Sequence, residues 1–308
     1  MFRYVTKRVV SLLPVLLGVT FIVFMILNVA PGDPTRMLLG DMATPEQVAA
    51  LRAELGLDKP LLVQYVKYMG NLARGNFGLS YRTKEPVAQE ILSRFPHTIR
   101  LALVSMIFSI ILAIPLGIVA AVRQNTLVDN ISMIAALVGV SIPMFWLALL
   151  LILVFSLKLG WFPVAGASKW NSIVLPAVAL GVMNMALTAR TTRSSMLETI
   201  RQDYIRTARS KGLPWSRVIR DHAFKNALIP TITVIGLQVG NLLGGAVLAE
   251  TVFAWPGVGR LMVQAIAGRD TPMVLGCIVV FTVSISVVNL AVDLLYGFVD
   301  PRIRSMYH

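Results

Sequence analysis

The most informative polar residues of this chain lie between Asp203 and Pro230, in a basic, amphipathic segment between two long apolar runs. Gly212 and Pro214 interrupt this segment, which predicts a helix, a tight turn and a second, short helix that starts near Pro214. Such a surface can dock on a partner protein. It can also do no more than fix the membrane topology and contact anionic lipid. Its basic residues are Arg206, Arg209, Lys211, Arg217, Arg220 and Lys225, with Arg201 just before it.

The side chains that catalysis would require are absent or scattered. None of the three histidines, His97, His222 and His308, lies in an apolar run, which argues against an intramembrane metal or Ser/His site. Cys277 is the single cysteine, so the chain has neither an internal disulfide nor a thiolate metal site. No glycine is followed by lysine, so there is no phosphate-binding P-loop. The sequence predicts no catalytic residue, no metal ligand and no ATP hydrolysis by this chain.

Composition indicates an integral membrane protein. Of the 308 residues, 56% are hydrophobic and only 14% are charged, whereas a soluble domain carries about a quarter charged residues. The apolar residues form blocks, as in membrane-spanning helices. The formal net charge is +13, but the basic residues lie at the ends of these blocks, which argues against nucleic-acid binding.

Six apolar runs predict an all-α protein with six transmembrane helices. The fourth is the weakest, because it is short and contains Pro176 and Asn184. With the N-terminus in the cytoplasm, fifteen basic residues lie on the inner side and four in the short outer loops. The positive-inside rule therefore predicts that both termini are cytoplasmic. The runs cover residues 9–30, 98–122, 131–157, 173–190, 229–250 and 273–299.

The first outer loop, residues 31–97, is too long for a simple connection. Thr44-Pro45-Glu46 has the pattern of a helix start: a capping residue, a proline in the first turn and an acid near the positive helix end. A second amphipathic stretch covers residues 61–72, and a glycine-rich link follows it. We therefore expect an ordered helical insertion on the extracytoplasmic side.

The fifth apolar run carries two patterned faces. Gly236, Gly240 and Gly244 recur every four residues, which allows close packing against another helix. Gln238, Asn241 and Gly245 follow a second face. Its amides predict a polar translocation path, and hydrogen bonding between helices is the alternative interpretation.

The segment after this run predicts a tight turn at the outer membrane surface. It contains Glu250, Trp255, Pro256, Gly257 and Arg260. Tryptophan is typical of the membrane interface, and proline and glycine permit a re-entrant turn. The segment is expected either to form an extracytoplasmic gate or to serve as an interfacial anchor.

Several of these strings together resemble one transporter family. Residues 207–212 (TARSKG), followed by His222 and residues 226–230 (NALIP), are similar to the EAA loop of ABC importer permeases. The version in the dipeptide, oligopeptide, glutathione and nickel family is the most similar. Residues 250–260 (ETVFAWPGVGR) and 300–302 (DPR) also resemble this family. The chain is most similar to the first permease subunit, of the dipeptide or glutathione type.

The resemblance implies a type I ABC importer permease in the bacterial cytoplasmic (inner) membrane. It implies one domain over residues 1–308, with an extracytoplasmic insertion at 31–97 and a cytoplasmic coupling loop at 191–228. It further implies alternating access, with a second permease, two ATP-binding subunits that hold ATP and magnesium, and an extracytoplasmic binding protein as partners. The residues assigned to ATPase coupling are Arg206, Thr207, Ala208, Arg209, Lys211, Gly212, Leu213, Pro214, Trp215 and Arg217.

Two alternatives stay open at this stage. One is a secondary transporter or channel that needs no ATPase, although no internal repeat supports it. The other is an ABC permease for a different cargo, such as a nickel chelate, because the motifs are specific to the family and not to a substrate.

Overall fold

A computed structural model describes the backbone of residues 2–29, 33–40 and 42–299 and, of these, the side chains of Thr6, 10–29, 33–40 and 42–294. In this part of the chain the regular elements are all helical, and the only β pairing is an isolated bridge between Leu79 and Pro86. The all-α fold predicted from the sequence is confirmed.

The helices follow the predicted apolar runs, with several different boundaries. A π-helical segment, Ile152–Lys158, follows α7, a 3-10 turn, Trp170–Ile173, precedes α8, and a second π-helical segment, Val218–Ala223, joins α10 to α11. The α-helices are α1 (Phe2–Val29), α2 (Pro34–Leu39), α3 (Pro45–Glu54), α4 (Leu61–Leu72), α5 (Val87–Val122), α6 (Leu127–Ser141), α7 (Met144–Leu151), α8 (Val174–Ile200), α9 (Asp203–Ser210), α10 (Trp215–Arg217), α11 (Phe224–Val252), α12 (Val258–Ala267) and α13 (Thr271–Val299).

Among the described residues, five helices are long and apolar enough to cross a membrane, and a bent pair would make a sixth span. The pair is α6 with α7 and its π-helical extension, which meet at an angle of 101°. The sequence predicted one uninterrupted span over residues 131–157, and that detail is wrong. Pro143 has no N–H to continue the helix, and it favours extended backbone at Ile142, where φ is −81° and ψ is 124°.

The described chain divides into two compact units. The first unit contains Ile99–Trp255 and the chain from Val287 onward, and the second contains Phe2–Thr98 and Pro256–Ser286. Each unit has its own buried apolar clusters.

Helix α8 is the centre of the first unit. Its most apolar window is 61% buried, against 28% for α5 and for α11. Glycines let its neighbours approach: a Cβ at Gly117 of α5 would lie 2.6 Å from the Ala189 carbonyl oxygen, and one at Gly181 of α8 would lie 2.8 Å from the Ser105 carbonyl oxygen. Helix α8 corresponds to the fourth apolar run, which was the weakest in the sequence. A helix surrounded by other helices does not need the apolar surface that lipid requires, which explains the weak signal. Helix α8 also extends to Ile200, ten residues beyond the predicted span.

In the second unit, the insertion packs on α1 through α4. The Tyr65 hydroxyl donates to the Leu17 carbonyl oxygen at 2.9 Å, and its ring packs against Phe21 and Phe24. The helix start predicted at Thr44 is confirmed: its hydroxyl accepts from the Gln47 N–H, and the Gln47 side chain accepts from the Thr44 N–H. The insertion therefore has regular helices, and α3 begins with a complete capping box.

The insertion also connects to the start of α13 through a buried carboxylate. Asp270, only 3% exposed, accepts a hydrogen bond from the Ser80 hydroxyl at 2.5 Å and from the Tyr81 N–H at 3.1 Å. It also accepts from the Met273 N–H at 3.3 Å, in the first turn of α13. One side chain thus caps α13 and orders the link before α5.

Candidate functional site

The basic segment folds as two helices around a glycine turn, as the sequence predicted. Helix α9 ends at Ser210, and Gly212 adopts a φ of 80°, which strongly favours glycine. The Gly212 N–H donates to the Arg209 carbonyl oxygen at 2.9 Å, which closes the last turn of α9. A short helix was expected to start near Pro214, and a helix does begin there, at Trp215. It is not short, because it continues through the π-helical segment into α11.

One face of α9 attaches the segment to the helix ends of the first unit. Ile205 and Ala208 are buried against Ala121 of α5, Met196 of α8 and Val218. The Tyr204 hydroxyl accepts from the Asn226 side-chain amide at 2.9 Å. A rigid link from this surface to three long helices is what a mechanical connection would require.

The opposite face is exposed and basic. The Arg209 guanidinium lies 4.9 Å from the centroid of the Trp215 ring, which stabilises the two arms of the turn by a cation–π contact. The Arg206–Asp203 ion pair, at 3.9 Å, is too exposed to contribute much. The surface can bind an acidic or polar partner. Of the assigned coupling residues, Ala208 is buried and Leu213 half-buried, whereas Arg206, Thr207, Arg209, Lys211, Gly212, Pro214, Trp215 and Arg217 are exposed.

The three residues of the predicted path on α11 do not share an exposed face. Gln238 is 6% exposed, and its side-chain oxygen accepts from the Thr188 hydroxyl of α8 at 3.2 Å. Gly245 also faces α8, where its Cβ position lies 3.0 Å from Leu180 Cδ1. Asn241 is exposed. In this structure Gln238 therefore makes the helix-to-helix contact that was the alternative interpretation, and Asn241 is the one available amide; a path role stays a prediction.

The glycine face of α11 is open within this chain. Gly244 is exposed, and apart from the backbone of α11 itself, no described residue has an atom within 4 Å of the position that its Cβ would take. Gly236 and Gly240 are half-buried. The predicted packing of this face against a second subunit stays a prediction.

The predicted gate differs from expectation at its tryptophan and at its turn. Trp255 is 2% exposed, so it is a core residue here and not an interfacial anchor. The backbone N–H of Trp255 donates to the Glu250 carbonyl oxygen at 2.8 Å, and Glu250 is itself buried. Ala254 adopts a φ of 50°, whereas Gly257 has a φ of −96°, so the left-handed residue of the turn is an alanine. Pro256 and Arg260 are half-buried in the second unit.

The residues before this turn also contact the loop between the third and fourth predicted spans. The Gly166 N–H donates to the Phe253 carbonyl oxygen at 2.9 Å, and Phe253 packs against Ala148, Leu175 and Ala179. Residues 160–169 and 250–255 thus lie at the same end of the first unit.

Sequence reasoning missed an ion pair between Asp129 and Arg193. Two hydrogen bonds, of 2.6 and 2.7 Å, join the start of α6 to α8. An aspartate at the edge of an apolar run was the available signal, but nothing local identifies its partner 64 residues away.

Comparison with known proteins identifies one transporter family. Residues 113–305 match the family described as the binding-protein-dependent transport system inner membrane component, and residues 1–102 match the corresponding N-terminal family. A dipeptide transport system permease protein of Alkalihalophilus pseudofirmus is 45% identical, and the alignment covers 99% of this chain and all of the relative.

Two further permeases and one solved transporter structure are also similar to this chain. A glutathione transport system permease protein of Escherichia coli K12 is 43% identical, and a di/tripeptide transport system permease protein of Pseudomonas aeruginosa is 42% identical; each alignment covers 99% of both chains. Among solved structures, the MetNI methionine ABC transporter in an inward-facing conformation matches with a TM-score of 0.59 at 20% identity. That match covers 69% of this chain and 97% of the other, and it supports the fold.

Proposed function

Because the chain belongs to the family of inner-membrane components of binding-protein-dependent transport systems, we propose that it is a permease subunit that imports short peptides or glutathione-like compounds. The observation that carries the substrate class is identity of 42–45%, over nearly the whole chain, to permeases named for dipeptides, di/tripeptides and glutathione. The sequence motifs alone do not separate these cargoes.

The proposed complex contains a second permease, two ATP-binding subunits and an extracytoplasmic binding protein. ATP and magnesium are held by the ATP-binding subunits, since this sequence contains no P-loop. The exposed basic face of residues 206–217 docks on an ATP-binding subunit. The buried face of α9 then transmits movement to α5, α8 and α11, which supports alternating access between two arrangements of the helices.

The proposed topology places both termini and the coupling segment in the cytoplasm. The distribution of basic residues supports this orientation, because the short outer loops contain few of them. The C-terminal residues 300–308 lie outside the described part of the chain. In this orientation residues 31–97 and 250–260 lie on the extracytoplasmic side, where the latter would meet the binding protein.

Reconstitution of the complex tests the proposal. Proteoliposomes with all subunits are expected to accumulate labelled dipeptides or glutathione only when ATP and the binding protein are present on the correct sides. Unlabelled peptide should compete, whereas a nickel chelate should not. Uptake driven by an ion gradient without the ATP-binding subunits would instead support a secondary transporter, and competition by the chelate alone would support the different cargo.

A further inference from the structure

A cavity of about 350 Å³ lies entirely within the second unit. Its walls come from the ends of α1 and α3, one face of α4, the link before α5 and the first turn of α13. The volume falls at the lower end of the ~300–1,000 Å³ typical of small-molecule sites. It is therefore large enough for a compound of a few residues.

One wall is a polar stripe on α4. Gln64, Lys67, Tyr68 and Asn71 all line the cavity, at the i, i+3, i+4 and i+7 spacing of one helical face. Packing on α1 uses Tyr65, and Tyr68 packs on the same cluster. The Gln64 amide donates to the Lys59 carbonyl oxygen at 2.8 Å, just before α4. Neither contact accounts for Lys67 and Asn71 on the cavity side.

The rest of the lining adds charge and apolar surface. Lys84 and Tyr81 come from the link before α5, and Phe77 and Leu79 of the same link supply apolar surface. Phe24 and Leu275 lie beneath this surface as core residues, 4% and 1% exposed. Burial and then the nearby charge of Asp270 raise the pKa of Tyr81 to about 12, so its hydroxyl remains a neutral donor at physiological pH. Among the lining side chains, Lys67 and Lys84 are opposed by one carboxylate, Glu54.

We propose that this cavity is an accessory site for a short peptide with apolar side chains, separate from the translocation path. Lys67 and Lys84 attract the terminal carboxylate, because they leave the lining with an excess of positive charge. Asn71 and Tyr81 match the peptide amide, and Phe77 and Leu79 contact the apolar side chains. The peptide class rests on the proposed function, and the extracytoplasmic location rests on the proposed topology.

Direct binding tests this site, using the permease complex in nanodiscs without the binding protein. The dipeptide Leu-Leu is the probe, and its affinity is measured by saturation-transfer NMR or thermophoresis. Lys67→Glu and Lys84→Glu are each expected to weaken binding by about tenfold, the loss of one charge-assisted contact. Lys67→Gln removes the charge without reversing it and is expected to weaken binding by less. Leucyl-leucinamide, which has no carboxylate, should bind the wild type about as weakly as Leu-Leu binds the Glu variants.

A matched control separates the cavity from general surface charge. Lys59→Glu makes the same charge change in the insertion, on an exposed residue that does not line the cavity. Wild-type affinity in the Lys67 and Lys84 variants, or the same loss of affinity in all three Glu variants, would overturn the proposal. Hexanoate binding as tightly as Leu-Leu would overturn the peptide class. Uptake of dipeptide by the full system is measured in parallel: uptake without cavity binding refutes this site alone, and cavity binding without uptake of any peptide refutes the proposed function.

Discussion

Asp129 and Arg193 form a two-bond ion pair that ties the first turn of α6 to α8. The Arg193 Nε and Nη2 atoms donate to the two carboxylate oxygens of Asp129 at 2.6 and 2.7 Å. Asp129 also accepts from the Asn125 N–H at 3.0 Å, and Asn125 has a φ of 61° in the turn after α5. One carboxylate therefore holds three elements of the first unit together. With Asp129 only 3% and Arg193 26% exposed, loss of either partner leaves a charge in a poorly solvated position.

A double-mutant cycle should show strong coupling in this pair. Asp129→Ala and Arg193→Ala are each expected to lower the thermal unfolding midpoint in detergent. The double variant should lower the midpoint by less than the sum of the two single changes. The coupling is expected within the ~0.5–3 kcal/mol found for contacting residues. The exposed Arg220–Asp221 pair, at 3.0 Å, is the control and should show no measurable coupling. Additive losses at Asp129 and Arg193 would contradict the structural role.

Gly212→Leu is expected to uncouple ATP hydrolysis from transport. A residue with a Cβ at a φ of 80° costs about 1–2 kcal/mol, which should shift the turn between α9 and Trp215. Gly160→Leu is the matched control, because Gly160 has a φ of 67° and also has open space around it. ATPase activity and uptake are measured on the same proteoliposomes. Coupled transport at the wild-type ratio in the Gly212 variant would show that the turn is not part of the coupling surface.

Gly244→Leu should weaken assembly with the second permease without unfolding this chain. Apart from the backbone of α11, no described residue has an atom within 4 Å of the added Cβ, so a loss of assembly must come from a partner that packs there. Gly18→Leu on α1 is the control, since that glycine is equally open and also lies in a helix. Co-purification of tagged subunits gives the measurement. Equal recovery of the partner with both variants would place the subunit contact elsewhere.

Cysteine labelling should separate Asn241 from Gln238. With Cys277 replaced by alanine, a cysteine at 241 is expected to react with a water-soluble thiol reagent in at least one nucleotide state. A cysteine at 238 should be protected in the conformation described, because Gln238 faces Thr188. Leu242→Cys, at a position that is 1% exposed, is the negative control. If the cysteine at 241 never reacts, α11 does not line an aqueous path at this level.

The start of the insertion should weaken at low pH. Burial opposes ionisation of Asp33, but hydrogen bonds from Thr35 and Arg52 outweigh it and hold the pKa of Asp33 below its ordinary value of 3.8. Since the folded-state pKa is the lower one, this stabilisation is present above about pH 4 and is lost as the pH falls through the folded-state value. Pepsin cleavage within residues 34–54 should therefore increase below pH 4.

Asp33→Asn should remove most of this pH dependence. Asp58→Asn, at an exposed aspartate of the same insertion, should retain it. An unchanged acid profile in the Asp33 variant would show that the carboxylate does not hold α2 to α3.

The sequence could predict features that depend on neighbouring residues. The helix start at Thr44, the turn at Gly212 and the family-like strings were all readable, because capping, backbone conformation and motif identity are local. The exposed basic helix–turn–helix segment, the proposed coupling surface, was predicted in this way. The break at Pro143 had a local signal too, but hydropathy alone continued the span across it.

By itself, the sequence determined an all-helical membrane chain with a basic helix–turn–helix segment, because hydropathy and charge record how each stretch meets lipid or water. Only the tertiary structure decided which helix became central, that Gln238 turns to Thr188 while Asn241 stays exposed, and that Trp255 is buried. It also brought Asp129 to Arg193. These outcomes depend on which faces of distant helices meet, and a polar or aromatic side chain carries the same local signal whether it will contact a neighbouring helix, a partner or water.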